Sequence, residues 1–274
     1  MVLKSLSSIY KLVVRSRHKL YLSKLKQSNK LSIPVVVIGN ITVGGTGKTP
    51  FVDYVLSLMK LNGVRAGVIS RGYGGNYAGV TKVDLSVDNA VEKFGDEPTL
   101  LKNKNTGTPV YLSSNRFKAG SLLLHENKNI EAIVCDDGLQ HFALERDFNV
   151  VLIDCTEKLD NYRMLPLGRL REPLEGLSRA DFIILTKSNW ASANDLKAAK
   201  QLVNKYFPLT DENYAVAEYS SEFPSLEKNS VLLLSSIAKP SIFEKSVRDS
   251  GLFNVKGHLA YEDHHNYKSK DITN

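Results

Sequence analysis

Ile33-Pro34-Val35-Val36-Val37-Ile38-Gly39-Asn40-Ile41-Thr42-Val43-Gly44-Gly45-Thr46-Gly47-Lys48-Thr49-Pro50 decides how the rest of the chain is read. The unbroken β-branched run from Val35 to Ile38 predicts a strand buried on both faces, as in a parallel sheet covered by helices. It feeds a glycine-rich turn that ends in Gly-Lys-Thr. Gly44, Gly45 and Gly47 let backbone N–H groups converge on an anion, Lys48 has the reach for the β and γ phosphates of a nucleotide, and the Thr49 hydroxyl suits Mg²⁺. Beyond Pro50, the residues Val52, Val55, Leu56 and Met59 recur at helical spacing, so a helix N-terminus faces the same phosphates. A chance glycine turn is the competing explanation, and the order strand, loop, Gly-Lys-Thr, helix argues against it. The general phosphate-loop pattern has Gly five residues before Gly47, where this chain has Thr42.

The chain has 274 residues, 42% of them hydrophobic and 24% charged, enough for one large α/β domain or two smaller ones. No run approaches the roughly 18 apolar residues of a membrane span, and no small-residue cleavage site follows the N-terminus, so export is not expected. Cys135 and Cys155 lie in apolar strand-like runs, where buried thiols in a reducing compartment are expected rather than a disulfide. The net charge of +7 is unevenly placed: residues 1–30 hold eight bases and no acid, which leaves 28 bases against 29 acids in the remainder. A neutral body does not call for nucleic acid. In the basic segment Leu3, Leu6, Ile9, Tyr10, Val13 and Val14 recur at helical spacing opposite Lys4, Ser7, Ser8, Lys11 and Arg15, which describes an amphipathic helix on an anionic membrane. A helix that packs on the domain and solvates its basic face is the alternative.

Farther along, Val64 to Ser70 predicts a second strand that breaks into Arg71-Gly72-Tyr73-Gly74-Gly75, the kind of strand-end loop where α/β folds place ligands. Gly95-Asp96-Glu97-Pro98 sets two carboxylates at the start of a helix, either as caps or as a source of a base. The strand Ile130 to Cys135 runs into Asp136-Asp137-Gly138-Leu139-Gln140-His141, and a strand-end Asp after a phosphate loop stands beside the nucleotide's Mg²⁺. Further strands are predicted at Val150–Asp154 and Phe182–Thr186. Between them Leu165-Pro166-Leu167-Gly168-Arg169-Leu170-Arg171-Glu172-Pro173 carries two arginines suited to phosphate oxygens. A helix is predicted over Leu196–Tyr206, and polar composition from Pro208 marks a domain boundary. Strands from Val231 and Val255 flank a helix, Ile242–Ser250. The fold class is therefore α/β, a mostly parallel sheet of the P-loop type with helices on both faces plus a smaller α/β domain. The expected division is 1–30 membrane contact, 31–208 nucleotide domain and 209–274 hinge and second domain.

The chain resembles the tetraacyldisaccharide 4′-kinase family of lipid A synthesis. The resemblance rests on residues 39–50, Ser-Arg-Gly-Tyr-Gly-Gly (70–75), Gly-Asp-Glu-Pro (95–98), Asp-Asp-Gly-Leu-Gln-His (136–141), Leu-Arg-Glu-Pro (170–173) and Asp-His-His (263–265). Thr42 is itself the family's form of the loop. Ser236-Ile237-Ala238-Lys239-Pro240 departs from the family's Gly-Ile-Ala-Asn-Pro, and the chain stops soon after His265 whereas relatives continue with further second-domain segments, so a second domain truncated at its C-terminus is the expectation. The resemblance implies ATP, held by Thr42, Val43, Gly44, Gly45, Thr46, Gly47, Lys48 and Thr49, and Mg²⁺ with Thr49 as its surest ligand. Asp136, Asp137, Gln140, Glu172 and Glu97 are further metal candidates, unranked by sequence. Asp96 would accept the proton of the sugar hydroxyl, His264 would orient Asp96, and Lys48 and Arg171 would neutralise the transferred phosphoryl group. The implied partners are the lipid A disaccharide precursor and the anionic cytoplasmic face of the bacterial inner membrane, with no nucleic acid and no obligate protein partner. Thr186-Lys187-Ser188-Asn189 lacks the acid a GTPase base-reading motif needs. A membrane-associated P-loop ATPase without a sugar acceptor remains the rival activity.

Overall fold

Helix α1 (Val2–Leu22) opens the computed structural model, which describes residues 2–226, 229–237, 239–263, 265 and 267–271. Strand β1 (Val35–Gly39) is followed by α2 (Lys48–Leu61), β2 (Ala66–Ser70), a short β3 (Thr81–Lys82), α3 (Ala90–Phe94), α4 (Asp96–Lys104) and β4 (Val110–Leu112). Then come α5 (Arg116–Glu126), β5 (Ala132–Asp136), β6 (Phe148–Asp154), β7 (Phe182–Thr186), α6 (Ala193–Asn204) and β8 (Tyr214–Val216). These belong to one compact unit, Met1–Ala217; a second unit, Glu218–Asn274, holds β9 (Ser230–Ser235), α7 (Pro240–Asp249) and β10 (Asn254–Ala260).

The first unit is built on an eight-stranded sheet in the order β3-β4-β2-β5-β1-β6-β7-β8, parallel except for β3. Alternation along the apolar strands explains why both faces are dry. Val35, Val37, Ile133, Cys135, Val151 and Ile153 enter one core, while Ile38, Val134, Val150 and Leu152 enter the other beside Val52 and Leu56 of α2. Each such side chain, fully buried, contributes roughly 1.5–3 kcal/mol. The chain leaves β1 for β2, returns to β5 beside β1, and then crosses to β6 on β1's other side. That reversal opens a crevice beyond the carboxyl ends of β1, β5 and β6, the place where open α/β sheets bind ligands. The thiols of Cys135 and Cys155 are buried and unbridged, and burial pushes them up to about 11 and about 12.

Three expectations shift. The boundary lies between Ala217 and Glu218 rather than at residue 208, because β8 pairs with β7 and carries the sheet past the polar segment. Helix α6 starts at Ala193, earlier than the apolar spacing suggests, since Ser192 and Asp195 form a reciprocal capping box. The basic segment is not separate from the nucleotide domain. Ser7 Oγ donates to Met164 O at 2.9 Å, Tyr10 OH donates to Arg171 O at 2.9 Å, and His18 stacks on Phe142 at 4.8 Å. The apolar stripe of α1 thus divides: Tyr10 and Val14 join the core, whereas Leu3, Leu6, Ile9 and Val13 stay exposed.

Candidate active site

The loop after β1 is held from three sides. Beneath it, Asn40 Nδ2 donates to Thr46 Oγ1 at 2.8 Å, and Thr46 N–H closes a tight turn on Gly44 O at 3.0 Å. On one flank residues 163–173 run alongside it, with Val43 N–H donating to Arg169 O and Arg171 N–H to Ile41 O, both at 2.8 Å. Gly44 has φ 102° and lies under the Arg169 guanidinium, so a side chain there would meet both strain and a clash. On the other flank Thr186 and Lys187 reach in from the end of β7. Gly47, at φ 87°, caps α2 and brings no side-chain acceptor to the helix's first N–H groups, which suits an anionic ligand.

Charge is arranged around the end of β5. Lys48 Nζ donates to Asn40 Oδ1 at 3.3 Å and stands 3.6 Å from Asp137. Arg171 Nη1 contacts both Asp137 oxygens, at 2.8 and 2.7 Å. Burial pushes the Asp137 carboxyl up, but Lys48 and Arg171 outweigh it and hold the group below its ordinary range. Asp136 is the opposite case. Burial, then Asp137 and Glu97, raise it to about 7. Ser70 Oγ donates to its Oδ2 at 3.1 Å, while its buried Oδ1 has no hydrogen-bond partner among the described residues. A buried carboxylate oxygen without a donor, in a field already too negative, fits a divalent cation.

The metal candidates therefore separate. Asp136 offers an open oxygen, Thr49 is the second residue of α2, and Glu97 is near enough to shift Asp136. Asp137 is occupied by two cations. Gln140 Nε2 donates to Asn40 O at 2.8 Å and to Glu172 Oε1 at 2.6 Å, and the other Glu172 oxygen takes Arg179 at 2.5 Å. That places Gln140 and Glu172 in a brace under the loop. Among the described residues no cluster of three or more His, Cys, Asp or Glu side chains suits a metal. Asp96 is exposed at the first turn of α4, its Oδ1 accepting Glu97 N–H at 2.9 Å. His264 lies outside the described residues.

A second charged region was not legible as a unit. Arg116, the first residue of α5, is 4% exposed; it donates to Ser113 O at 3.2 Å, and its Nε is buried without a partner among the described residues. Its backbone N–H donates to His141 Nε2 at 3.4 Å. Burial, followed by Arg116, Arg146, Arg17 and Arg71, pushes the His141 imidazole down to about 4, so it is neutral at physiological pH. Among the described residues none of these four arginines has a carboxylate partner. A cleft of about 340 Å³ beside them is lined by Arg71, Tyr73, Tyr77 and Ser114 with the glycines of the same loop.

The family model described as tetraacyldisaccharide-1-P 4′-kinase matches residues 1–274, from one end of the chain to the other. The chain belongs to this family. It is 36% identical to the tetraacyldisaccharide 4′-kinase of Bdellovibrio bacteriovorus, over 99% of this chain and 82% of the relative. It is also 36% identical to that of Shewanella sediminis, over 100% of this chain and 77% of the relative. Among solved structures, Aquifex aeolicus LpxK in complex with ATP superposes with a TM-score of 0.77 at 30% identity, covering 98% of this chain and 84% of that one. The family's motif blocks that fall in the first unit thus gather on one sheet edge, at the ends of β1, β2 and β5 and in the loops beside them.

Proposed function

We propose that this chain transfers the γ-phosphoryl group of ATP to the 4′-hydroxyl of tetraacyldisaccharide 1-phosphate. The observation that carries the reading is the juxtaposition of a Lys48-bearing phosphate loop, the open carboxylate oxygen of Asp136 and a patch of unpaired arginines on one face of the unit. The loop N–H groups and Lys48 bind the nucleotide phosphates, and Arg171, braced by Asp137, adds positive charge where the γ-phosphoryl moves. Thr49 and Asp136 would hold Mg²⁺, which when bound offsets charge on the phosphate oxygens. Asp96 accepts the 4′-hydroxyl proton as the new O–P bond forms and the bond to the β–γ bridging oxygen breaks, releasing ADP. The support for His264 as the orienter of Asp96 is the family resemblance alone.

The arginine patch suits the acceptor's other end. A dianionic phosphate monoester meets Arg116, Arg71 and Arg17 as charge-assisted donors and the neutral His141 as a further hydrogen-bonding group. Incubating the protein with ATP, Mg²⁺ and the disaccharide 1-phosphate should yield a 4′-phosphate. ATP hydrolysis that ignores the lipid, with no phosphorylated sugar, would support the ATPase instead.

Helix α1 is the membrane contact in this reading, and the cytoplasmic face, where ATP is available, is its location. No described helix is long and apolar enough to cross a membrane. Yet Val2, Leu6, Ile9, Val13 and Leu20 stay exposed at helical spacing, on a segment with exposed Lys4, Lys19, Lys24 and Lys26. Such a face rests at the boundary of an anionic bilayer, each base near the surface adding about 1 kcal/mol. Because α1 also makes buried contacts, the clean test is Leu6→Ser, Ile9→Ser and Val13→Ser together. This variant should keep its thermal stability and lose binding to phosphatidylglycerol vesicles; unchanged binding would move the contact elsewhere.

A further inference from the structure

Thr186, the last residue of β7, and Lys187 directly after it have no part in the roles assigned above, yet they grip two consecutive carbonyls of the phosphate loop. Thr186 Oγ1 donates to Thr46 O at 3.0 Å, and Lys187 Nζ donates to Gly45 O and, at 2.8 Å, to Asp154 Oδ2. The Lys187 and Asp154 side chains are only 10% and 3% exposed. The register explains the meeting, because Asp154 at the end of β6 lies opposite Thr186 in β7. Asp154 is fixed in turn through Oδ1, which accepts Thr156 N–H at 2.9 Å and Thr156 Oγ1 at 2.6 Å. Lys187 sits at φ 58°, an unusual backbone for a residue with a side chain and a common one at functional positions.

We propose that Lys187, held by Asp154, is a positioning residue for nucleotide binding, keeping the Gly45 carbonyl turned toward β7. An anion-binding loop works only while its N–H groups, not its carbonyl lone pairs, face the phosphates. Gly44 and Gly45 leave the intervening peptide units free to rotate, so the loop's own sequence does not prevent a carbonyl from swinging toward the anion. A charged donor on one carbonyl and a hydroxyl on the next do prevent it. The ammonium is itself kept in place by a buried carboxylate, so the grip does not depend on solvent.

The inference rests on residues 42–49 being the phosphate loop, and three variants separate the two claims. Lys187→Met removes the donor but strands Asp154, so the fold weakens as well. Adding Asp154→Asn removes the stranded charge. The double variant should therefore recover most of the melting temperature while both variants bind MgATP at least tenfold more weakly, by isothermal titration. The KM for ATP should rise in step, with kcat within fivefold and the acceptor KM unchanged. A double variant that binds MgATP within twofold of the parent overturns the proposal and leaves the pair a structural ion pair. Lys48→Ala is the control. Affinity lost there and kept in the Lys187 variants overturns the tether alone, whereas affinity kept in all three overturns the loop reading and the tether with it.

Discussion

Around the phosphate loop each described basic side chain is matched by a carboxylate: Lys48 and Arg171 by Asp137, Lys187 by Asp154, Arg169 by Glu157 and Arg179 by Glu172. Around His141 the arginines have no such partner among the described residues. The difference separates two ways of binding phosphate. Paired cations are held in place before the ligand arrives, which suits a site where small displacements of reacting atoms change the rate. Unpaired cations raise the local potential, and an arriving anion supplies the missing charge, which suits a site that recognises a headgroup. Two titrations register the contrast: Asp137 is held down by Lys48 and Arg171 against its burial, and His141 is pushed down to about 4 by burial first and then by its arginines.

The largest effect belongs to the paired region. Lys48→Ala should lower turnover on the lipid by about 10²–10³-fold, the range for losing one fixed group that faces transition-state charge. Circular dichroism should change little, since Arg171 still pairs with Asp137 when the Lys48 ammonium is gone. Turnover near the parent's would take the loop out of the chemistry. Asp96→Asn should come next, at about 10²-fold or more in kcat, because Asn preserves hydrogen bonding but not proton acceptance. MgATP affinity should persist in this variant. Its collapse would assign Asp96 to the metal or to the start of α4.

In the unpaired region the effect moves from kcat to the acceptor. Arg116→Ala should raise the KM for the disaccharide 1-phosphate by about 10–100-fold, as expected for one lost charge-assisted hydrogen bond, with the KM for ATP unchanged. An acceptor without its phosphate should erase the difference between parent and variant. A change in the KM for ATP of the same size would mean the two regions form one site.

The paired region was more legible from sequence than the unpaired one, for physical reasons. Val35 to Ile38, the glycines and Gly47-Lys48-Thr49 are contiguous, so local rules suffice, and Asp136 follows its strand directly. Arg116 is indistinguishable in sequence from any helix-starting arginine, and its meaning comes from Arg17, Arg71 and Arg146, which the fold gathers from three other segments. In sequence Lys187 reads only as part of a base-reading motif that lacks its acid, because its partners, Gly45 and Asp154, lie 142 and 33 residues away. The periodicity of α1 was plain, but which of its apolar residues turn inward depends on Met164, Arg171 and Phe142. Strand β8 escaped notice as three residues in a polar segment, paired only by its neighbour β7.

The smallest effect is also the most direct test of the contrast, because the two regions should pull the nucleotide-free protein's stability in opposite directions with pH. Asp136 titrates near 7 folded against 3.8 unfolded. As pH rises from about 4 toward 7 the unfolded chain loses this proton first, so the stability contributed by the folded state's tighter hold on it declines, by on the order of a few kcal/mol in total. His141 titrates near 4 folded against 6.5 unfolded. Here the unfolded chain gains the proton first as pH falls, so this contribution is complete above 6.5 and is lost toward 4, moderated by the solvent that reaches the ring. In the parent the two slopes oppose each other. Asp136→Asn should leave stability, from urea unfolding at pH 4.5, 5.5 and 6.5, rising with pH more steeply than in the parent. His141→Gln should leave it falling with pH, and inorganic phosphate, by offsetting the arginines, should flatten the Asp136→Asn curve. If both variants kept the parent's slope, neither group would feel the burial and the charges assigned to its surroundings; if phosphate left the Asp136→Asn curve unflattened, the arginines would have no share in it and the distinction between the paired and unpaired regions would fail.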